Sequence, residues 1–217
     1  MKICITTGNP IVCNRTTKAI LNDYYPEIKV KVFDATVLLN LPIYQNELLN
    51  SDVLILGGGG DFYTNQVKNI NSSEENVFRS VNLDRDKIET ELFNTALNHN
   101  IKIVGICRGM QIINVLLGGT LTLCEGHMVR VNDDTKMFHK AHKVWNHHDD
   151  EFEVNSRHRW CISDLASNLN ITYKSFDGVI EGVESDDGKI IGCQWHAEND
   201  LSIENKINKI FWEKICN

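Results

Sequence analysis

Residues 101–110 read Ile-Lys-Ile-Val-Gly-Ile-Cys-Arg-Gly-Met, and this stretch decides the fold. The run from Ile101 to Ile106 is continuously apolar apart from one lysine, which is typical of a strand buried on both faces of a parallel sheet. A helical pattern follows from Met110 to Leu117. Because strands that alternate with helices build parallel sheets covered on both faces, the stretch predicts an α/β fold.

The same alternation continues on both sides of this stretch. Strands are predicted at Ile3–Thr7, Ile28–Phe33 and Asp52–Leu56, and helices at Thr16–Tyr25, Asp84–Asn98 and Asn199–Ile215. Beyond about Glu151 the pattern changes to short strands, at Phe152–Asn155, Ile171–Lys174, Gly178–Glu184 and Lys189–Cys193. Asp186-Asp187-Gly188 separates the last two of these and indicates a hairpin turn. We therefore expect one domain over residues 1–217, with a mainly parallel sheet between two layers of helices.

The composition excludes several classes of function. The chain has 22 Lys and Arg against 29 Asp and Glu, a net charge of −7, which argues against a general nucleic-acid binder. No run approaches the roughly 20 apolar residues of a membrane helix, and the first residues do not form a signal peptide. The seven cysteines include no Cys-x-x-Cys pair. These features predict a cytoplasmic protein with reduced thiols.

The sharpest candidate for chemistry is Cys107, in the sequence Gly105-Ile-Cys-Arg-Gly109. This is the cysteine form of the nucleophile elbow, in which small residues allow a tight turn between a strand and a helix. The N-terminal amides of the following helix would favour a thiolate, and the amide of Arg108 would be a natural oxyanion donor. A buried structural cysteine is the alternative, but the context on both sides favours a nucleophile.

A cysteine nucleophile needs a base, and His196 is the best candidate. It follows an apolar strand within Cys193-Gln-Trp-His-Ala-Glu198. Residues two apart in an extended segment point the same way, so His196 and Glu198 can face one site together. The carboxylate would then orient one imidazole nitrogen while the other faces the thiol.

Four glycines and an aspartate, residues 57–61, follow the predicted strand that ends at Leu56. A phosphate cradle is disfavoured, because no Gly-Lys-Ser/Thr follows and Phe62 or Tyr63 stands where a dinucleotide motif needs glycine. Two alternatives are left. The segment is either a loop whose amides complete an oxyanion hole, which we favour, or a plain turn.

Together these features give the chain a family resemblance. It resembles the class I glutamine amidotransferase domain, and most specifically the free-standing γ-glutamyl hydrolases of the peptidase C26 group. The matching motifs, in chain order, are Gly58–Asp61, Arg85-Asp86 with Glu89, Gly105–Gln111, Asn114-Val115, Gly118–Leu121, Val154–His158, Glu181–Glu184 and Gln194–Glu198. The resemblance covers most of the chain and implies a three-layer fold with a flavodoxin-like core.

The resemblance implies a Cys-His-Glu triad of Cys107, His196 and Glu198 that cleaves a γ-glutamyl amide through a γ-glutamyl thioester. It also implies an oxyanion hole made by the amide of Arg108 with that of Gly58 or Gly59. No metal or other cofactor is expected. One departure is Ala197, which stands where the family usually has proline, and it predicts a less rigid turn between the histidine and the glutamate.

The resemblance further implies which residues bind the substrate. Gln111 and Gly60 are expected to bind the glutamyl group. The family also places the segment at 155–160 beyond the scissile amide, so the remaining candidates are Asn155, Ser156, Arg157, His158 and Arg159. Two arginines beside a histidine and a tryptophan would suit a phosphate group or a nucleoside diphosphate. A solvated loop is the alternative, and we weigh the two equally.

The expected partner is thus a small γ-glutamyl substrate. The preferred candidate is γ-glutamyl-CDP-amidate, from capsular phosphoramidate assembly, which would give glutamate and cytidine diphosphoramidate. The alternatives are γ-glutamyl-γ-aminobutyrate, a folate polyglutamate, or glutamine as a source of ammonia for a separate synthase. The 217 residues include no synthase domain that could use ammonia, which favours a free-standing hydrolase. A synthase partner is possible but is not required. A non-enzymatic binding module is disfavoured because all three triad positions are filled.

The histidine-rich stretch from His142 to Asp150 is the last feature that stands out. Its spacing fits neither standard zinc motif, and the stretch lacks cysteine. We therefore expect a mobile polar loop near the active site rather than a metal site.

Overall fold

The computed structural model describes residues 1–8, 25–68, 77–128, 142–198 and 205–216. Their strands are β1 (Lys2–Thr7), β2 (Lys29–Asp34), β3 (Val53–Leu56), β4 (Lys102–Ile106), β5 (Leu121–Leu123), β6 (His142–Trp145), β7 (Glu151–Val154), β8 (Trp160–Ile162), β9 (Asn170–Ser175), β10 (Ile180–Glu184) and β11 (Ile190–Cys193). Their α-helices are α1 (Leu41–Leu48), α2 (Leu83–Asn98), α3 (Arg108–Leu116) and α4 (Lys206–Cys216).

Nine of these strands form one sheet, in the order β2-β1-β3-β4-β11-β10-β9-β6-β7. The first five run parallel to one another, and each of the remaining four is antiparallel to its neighbour. The predicted parallel sheet is confirmed for the half that holds residues 101–106, while the half that ends at β7 is antiparallel. Strands β5 and β8 pair separately as a two-stranded sheet.

Apolar side chains cover both faces of the large sheet. On one face Phe93 of α2 and Ile113 of α3 pack in a core with Leu48 of α1. On the other face Phe211 and Ile215 of α4 pack against the sheet in a second core. Burying each such side chain stabilises the fold by about 1.5–3 kcal/mol. The predicted three layers, helices on both sides of a central sheet, are confirmed.

The stretch from residue 142 to 150 differs from the sequence prediction. A mobile loop was expected, but the first four residues form β6, which pairs with β7 and β9. Val144 is fully buried, Lys143 is exposed and His142 is half-buried, so the segment alternates as a strand does. The prediction was wrong because a histidine that faces inward in a strand has the same polar character as one in a loop.

Other predictions concern element boundaries. The turn at residues 186–188 does join two antiparallel strands, β10 and β11, as expected. Helix α1 was not predicted, although Pro42 lies in its first turn, where proline is well tolerated. Of the helix predicted at 16–25, only Tyr25 is among the described residues. The segments 62–82, 127–150 and 199–215 are also described only in part.

Every helix in the described part of the chain is too short or too polar to span a bilayer.

Candidate active site

Cys107 lies at a sharp turn between β4 and α3, with φ 53° and ψ −106°. A residue other than glycine rarely adopts a positive φ, and such strain is characteristic of a nucleophile elbow. The flanking glycines make the turn possible. A Cβ on Gly105 would lie 2.5 Å from the amide nitrogen of Met110, and one on Gly109 would lie 2.0 Å from the carbonyl oxygen of Leu56. The turn therefore needs small residues at both positions.

The elbow places the Cys107 thiol at the N-terminus of α3. The amide of Cys107 donates to the carbonyl oxygen of Cys193 at 2.8 Å, which ties the turn to β11. Arg108 is the first residue of the helix, so its N–H has no acceptor within the helix. The positive end of the helix dipole and this amide both favour negative charge at the position where an oxyanion would form.

His196 and Glu198 follow β11 and meet as the sequence predicted. Nδ1 of His196 lies 2.7 Å from Oε1 of Glu198, and the Cys107 thiol is near enough to the same ring to influence its pKa. Burial alone would lower the pKa of His196, but the neighbouring Glu198 and Cys107 raise it well above its usual value. An imidazolium in this position can stabilise a thiolate and donate a proton to a leaving group.

The main chain around His196 is held by residues that do not react. The side chain of Asn155 accepts from the amide of His196 at 2.8 Å and donates to its carbonyl oxygen at 2.9 Å. Nε1 of Trp212, on α4, donates to the carbonyl oxygen of Ala197 at 3.3 Å. This bond fixes the turn at the position where the family usually has proline. Asn155, expected to bind substrate, is thus occupied in holding His196.

The glycine loop reaches the triad through Gly58. A Cβ on this residue would lie 2.8 Å from Cε1 of His196 and 3.6 Å from Cβ of Cys107. Nη2 of Arg85 donates to the carbonyl oxygens of Gly57 and Gly58, at 2.9 Å each. All described peptide bonds are trans, so the amides of Gly58 and Gly59 point away from Arg85. Arg85 therefore fixes the orientation of the two amides expected in the oxyanion hole.

A buried charge network supports the loop from behind. Glu89 of α2 accepts from Nε of Arg85 at 3.0 Å and from the Thr6 hydroxyl at 2.6 Å, and it also pairs with Arg108. Asp86 pairs with the same Arg108 guanidinium. Burial would raise the pKa of Glu89, but the two arginines hold it below its usual value. The carboxylate thus stays ionised and keeps both arginines in place.

A cavity of about 310 Å³ opens beside the glycine loop. Its described lining includes Gly58, Gly60, Asn82 and the two buried arginines. Arg159 lies close to it, with Nη1 3.2 Å from Asp61 Oδ2. Cys107, His196 and Glu198 are not among the described residues that line the cavity.

Most of the other residues predicted to contact the substrate are buried in the fold. Gln111 is buried, and its Nε2 donates to the carbonyl oxygen of Trp160 at 2.8 Å and to Oε1 of Gln194 at 3.2 Å. Ser156 donates to the carbonyl oxygen of His127 at 2.6 Å, and its side chain is buried. His158 is also buried, within a cluster of histidines described below, whereas Arg157 is exposed. Ser156 and His158 therefore pack inside the fold instead of lining an open surface.

Two roles were not recognised from the sequence. The orienting role of Arg85 was missed, although the Arg85-Asp86 and Glu89 motif was noted, because no sequence pattern indicates a hydrogen bond to a loop carbonyl. The role of Asn155 was missed because its partner, His196, lies 41 residues further along the chain.

Comparison with known proteins agrees with this architecture. The peptidase C26 family profile matches residues 12–198. A Schizosaccharomyces pombe protein named as a glutamine amidotransferase is 32% identical over 199 residues, which cover 86% of this chain and 78% of that protein. The γ-glutamyl-CDP-amidate hydrolase of Campylobacter jejuni is 26% identical over 209 residues, which cover 88% of this chain and 91% of the hydrolase.

Solved structures agree as well. A Thermoplasma acidophilum protein described as a GMP synthase subunit aligns with 100% of this chain and 92% of its own, with a TM-score of 0.69 and 18% identity. The fold is therefore that of the class I glutamine amidotransferases, as the resemblance implied. With most of its length matched by the family profile, the chain belongs to the peptidase C26 family.

Proposed function

We propose that this protein is a cysteine-dependent hydrolase that cleaves the γ-glutamyl amide of a small conjugate and releases L-glutamate. The observation that carries the proposal is the position of Cys107. Its thiol belongs to a strained elbow at the start of a helix, beside a histidine that a glutamate orients. Relatives named as γ-glutamyl hydrolases support the same reaction class.

In the first half of the reaction the Cys107 thiolate attacks the γ-carbonyl carbon. The carbonyl oxygen becomes an oxyanion, which the amides of Arg108 and of Gly58 or Gly59 stabilise. Each such donor increases the rate about 10²–10³-fold when its N–H already points at the position of the oxyanion. The C–N bond then breaks, the His196 imidazolium gives its proton to the leaving nitrogen, and a γ-glutamyl thioester stays on Cys107.

In the second half a water molecule hydrolyses the thioester. Neutral His196 takes a proton from the water, and the resulting hydroxide attacks the thioester carbonyl. The same amides stabilise the second oxyanion. The C–S bond breaks, glutamate leaves, and the thiolate–imidazolium pair is restored.

For the leaving group we prefer a nucleoside diphosphoramidate, as released from γ-glutamyl-CDP-amidate. The relative that acts on this compound aligns over 88% of this chain. Arg159 pairs with Asp61, which lines the cavity beside the glycine loop, and Arg157 is exposed in the same segment as Arg159. Arginines in these positions suit the phosphates of such a substrate. A γ-glutamyl-γ-aminobutyrate-type hydrolase and a glutaminase subunit that feeds a separate synthase are the alternatives.

The test is glutamate release from a panel of substrates: glutamine, γ-glutamyl-γ-aminobutyrate, a folate polyglutamate and γ-glutamyl-CDP-amidate. We expect strong turnover of the nucleotide conjugate, weak turnover of glutamine, and none by Cys107→Ala. Cys124→Ala is the matched control and should retain full activity. Turnover that survives Cys107→Ala would overturn the reaction class, whereas slow glutamine hydrolysis alone would favour a synthase partner.

The phosphate contact has its own test. Arg157→Ala should raise KM for the nucleotide conjugate about tenfold and leave KM for glutamine unchanged, because only the conjugate carries phosphates. Lys143→Ala, at another exposed cation, should change neither value. Equal effects of Arg157→Ala on both substrates would remove the phosphate assignment.

A further inference from the structure

Three histidines and one glutamate from four separate segments meet at a buried point away from Cys107. They are His127 after β5, His142 on β6, His158 before β8, and Glu181 on β10, and we name them the histidine cluster. Oε1 of Glu181 lies 3.2 Å from Nδ1 of His127, 3.2 Å from Nε2 of His142 and 3.4 Å from Nε2 of His158.

The facing atoms of the cluster lie within ion-pair distance of Glu181, but their geometry does not form hydrogen bonds. None of the three imidazole nitrogens, and neither oxygen of Glu181, has a hydrogen-bond partner among the described residues. The Glu181 side chain is completely buried, and those of His127 and His158 are almost completely so. Proteins rarely leave buried polar atoms without a well-formed hydrogen bond, and the convergence of several such atoms on one point is also the arrangement of a metal-ligand set.

The spacing fits a tetrahedral metal ion. Zinc binds histidine nitrogen and carboxylate oxygen at about 2.0–2.2 Å, which places two neighbouring ligand atoms about 3.3–3.5 Å apart. The three distances to Glu181 lie at or just below this range. The ligand atoms of His127, His142 and Glu181 also lie within 4.8 Å of one another.

The outer nitrogens of two histidines are held as they are in metal sites. Nε2 of His127 lies 3.0 Å from Oδ2 of Asp177, and Nδ1 of His158 lies 3.1 Å from the carbonyl oxygen of Trp160. A ligating histidine almost always donates its other N–H to a carboxylate or a carbonyl, because this fixes the tautomer and the ring orientation.

We propose that the histidine cluster binds one divalent transition-metal ion, with zinc as the best fit, through imidazole nitrogens of His127 and His142 and a carboxylate oxygen of Glu181. Nε2 of His158, 3.4 Å from Oε1 of Glu181, is the nearest candidate for a fourth protein ligand, which would close the site and make the ion structural. The site joins segments that also reach the triad. Ser156, between Asn155 and the cluster, donates to the carbonyl oxygen of His127, and the amide of Gln194 donates to that of Glu181 at 2.8 Å.

No sequence motif indicates such a site, because its ligands lie 15, 16 and 23 residues apart along the chain. The opposing explanation is that protons shared between the imidazoles and the carboxylate balance the cluster without a metal ion. Metal content separates the two explanations directly.

The experiment measures metal by mass spectrometry in the Cys107→Ala protein, so that the catalytic thiol cannot bind the ion. The protein is loaded with zinc or cobalt and freed of excess metal. Two variants remove one ligand each, His142→Asn and Glu181→Gln. His148→Asn, at an exposed histidine of the same segment, is the matched control.

We expect one metal ion per chain in the Cys107→Ala protein and in the control, and a loss of most of it in the two ligand variants. The cobalt form should have the spectrum of a tetrahedral nitrogen and oxygen site. A cobalt–thiolate charge-transfer band would instead assign the metal to cysteines such as Cys124, which lies 3.5 Å from Nδ1 of His158, and would overturn the proposal.

Absence of stoichiometric metal after loading would also overturn it, as would retention of the ion in both ligand variants. If a ligand variant does not fold, as judged by circular dichroism, the stoichiometry and the cobalt spectrum of the Cys107→Ala protein decide by themselves.

Discussion

The parallel and antiparallel halves of the sheet contribute to the candidate site in different ways. In the parallel half, β3, β4 and β11 end side by side, and the segments that follow them carry the glycine loop, Cys107 and His196. In the antiparallel half, β7 leads into Asn155, which holds the main chain of His196, while β6 and β10 carry His142 and Glu181, which lie 3.2 Å apart. In the proposed mechanism the first half supplies the reacting groups, and the second holds them in position.

This difference shows how one fold separates chemistry from support. Carboxyl ends of neighbouring parallel strands meet at one edge, so short segments after them come together without long connections. Side chains from antiparallel strands and loops meet only through long-range packing. We therefore expect substitutions at the parallel edge to remove activity, and substitutions in the antiparallel half to reduce it through position and stability.

The largest effect beyond loss of the nucleophile is expected at Glu198. Glu198→Gln should lower kcat by roughly 10²–10⁴-fold, because the carboxylate orients and stabilises the His196 imidazolium. Glu198 raises the pKa of His196, so its removal lets the imidazolium lose its proton at lower pH. The basic limb of the kcat/KM profile should move to lower pH. An unchanged limb would contradict the assignment.

A smaller effect is expected at Arg85. Arg85→Lys keeps the charge beside Glu89 but cannot reach two loop carbonyls with one planar group. The amides of Gly58 and Gly59 lose their fixed direction, so kcat should fall about 10–100-fold with little change in KM. Lys87→Ala, on the exposed side of the same helix, is the control. A rise in KM with an unchanged kcat would show that Arg85 binds substrate instead.

The smallest effect is expected in the antiparallel half, at Asn155. Asn155→Ala removes both hydrogen bonds to the main chain of His196 and should lower the free energy of unfolding by about 1–3 kcal/mol. We expect kcat to fall roughly tenfold, because the imidazole is less well placed. Asn170→Ala, at an exposed asparagine, serves as the reference in the same unfolding and kinetic assays. A loss of kcat as large as that of Glu198→Gln would break the distinction between the two halves.

The parallel half is also the more predictable one. Continuous apolar runs followed by glycine identify β3 and β4, and the elbow motif identifies Cys107. His196 and Glu198 can be paired because they are two residues apart in an extended segment. Each of these signals is local, so the sequence displays it directly.

The antiparallel half is less predictable because its contacts are not local. The sequence assigns His142 to a loop, since a histidine-rich stretch gives no apolar alternation even when one histidine faces the core. Asn155 and His158 are expected at the substrate, but long-range packing turns one toward His196 and buries the other against Glu181. The spacing of these residues along the sequence does not predict the contacts.

The most direct test of the central claim is the covalent state of Cys107 during turnover. The protein is mixed with a γ-glutamyl substrate, quenched in acid and measured by intact mass spectrometry with peptide mapping. The thioester mechanism predicts a mass gain of one glutamyl group on Cys107, present in Cys124→Ala and absent in Cys107→Ala. Turnover with no adduct, or an adduct on another residue, would contradict it.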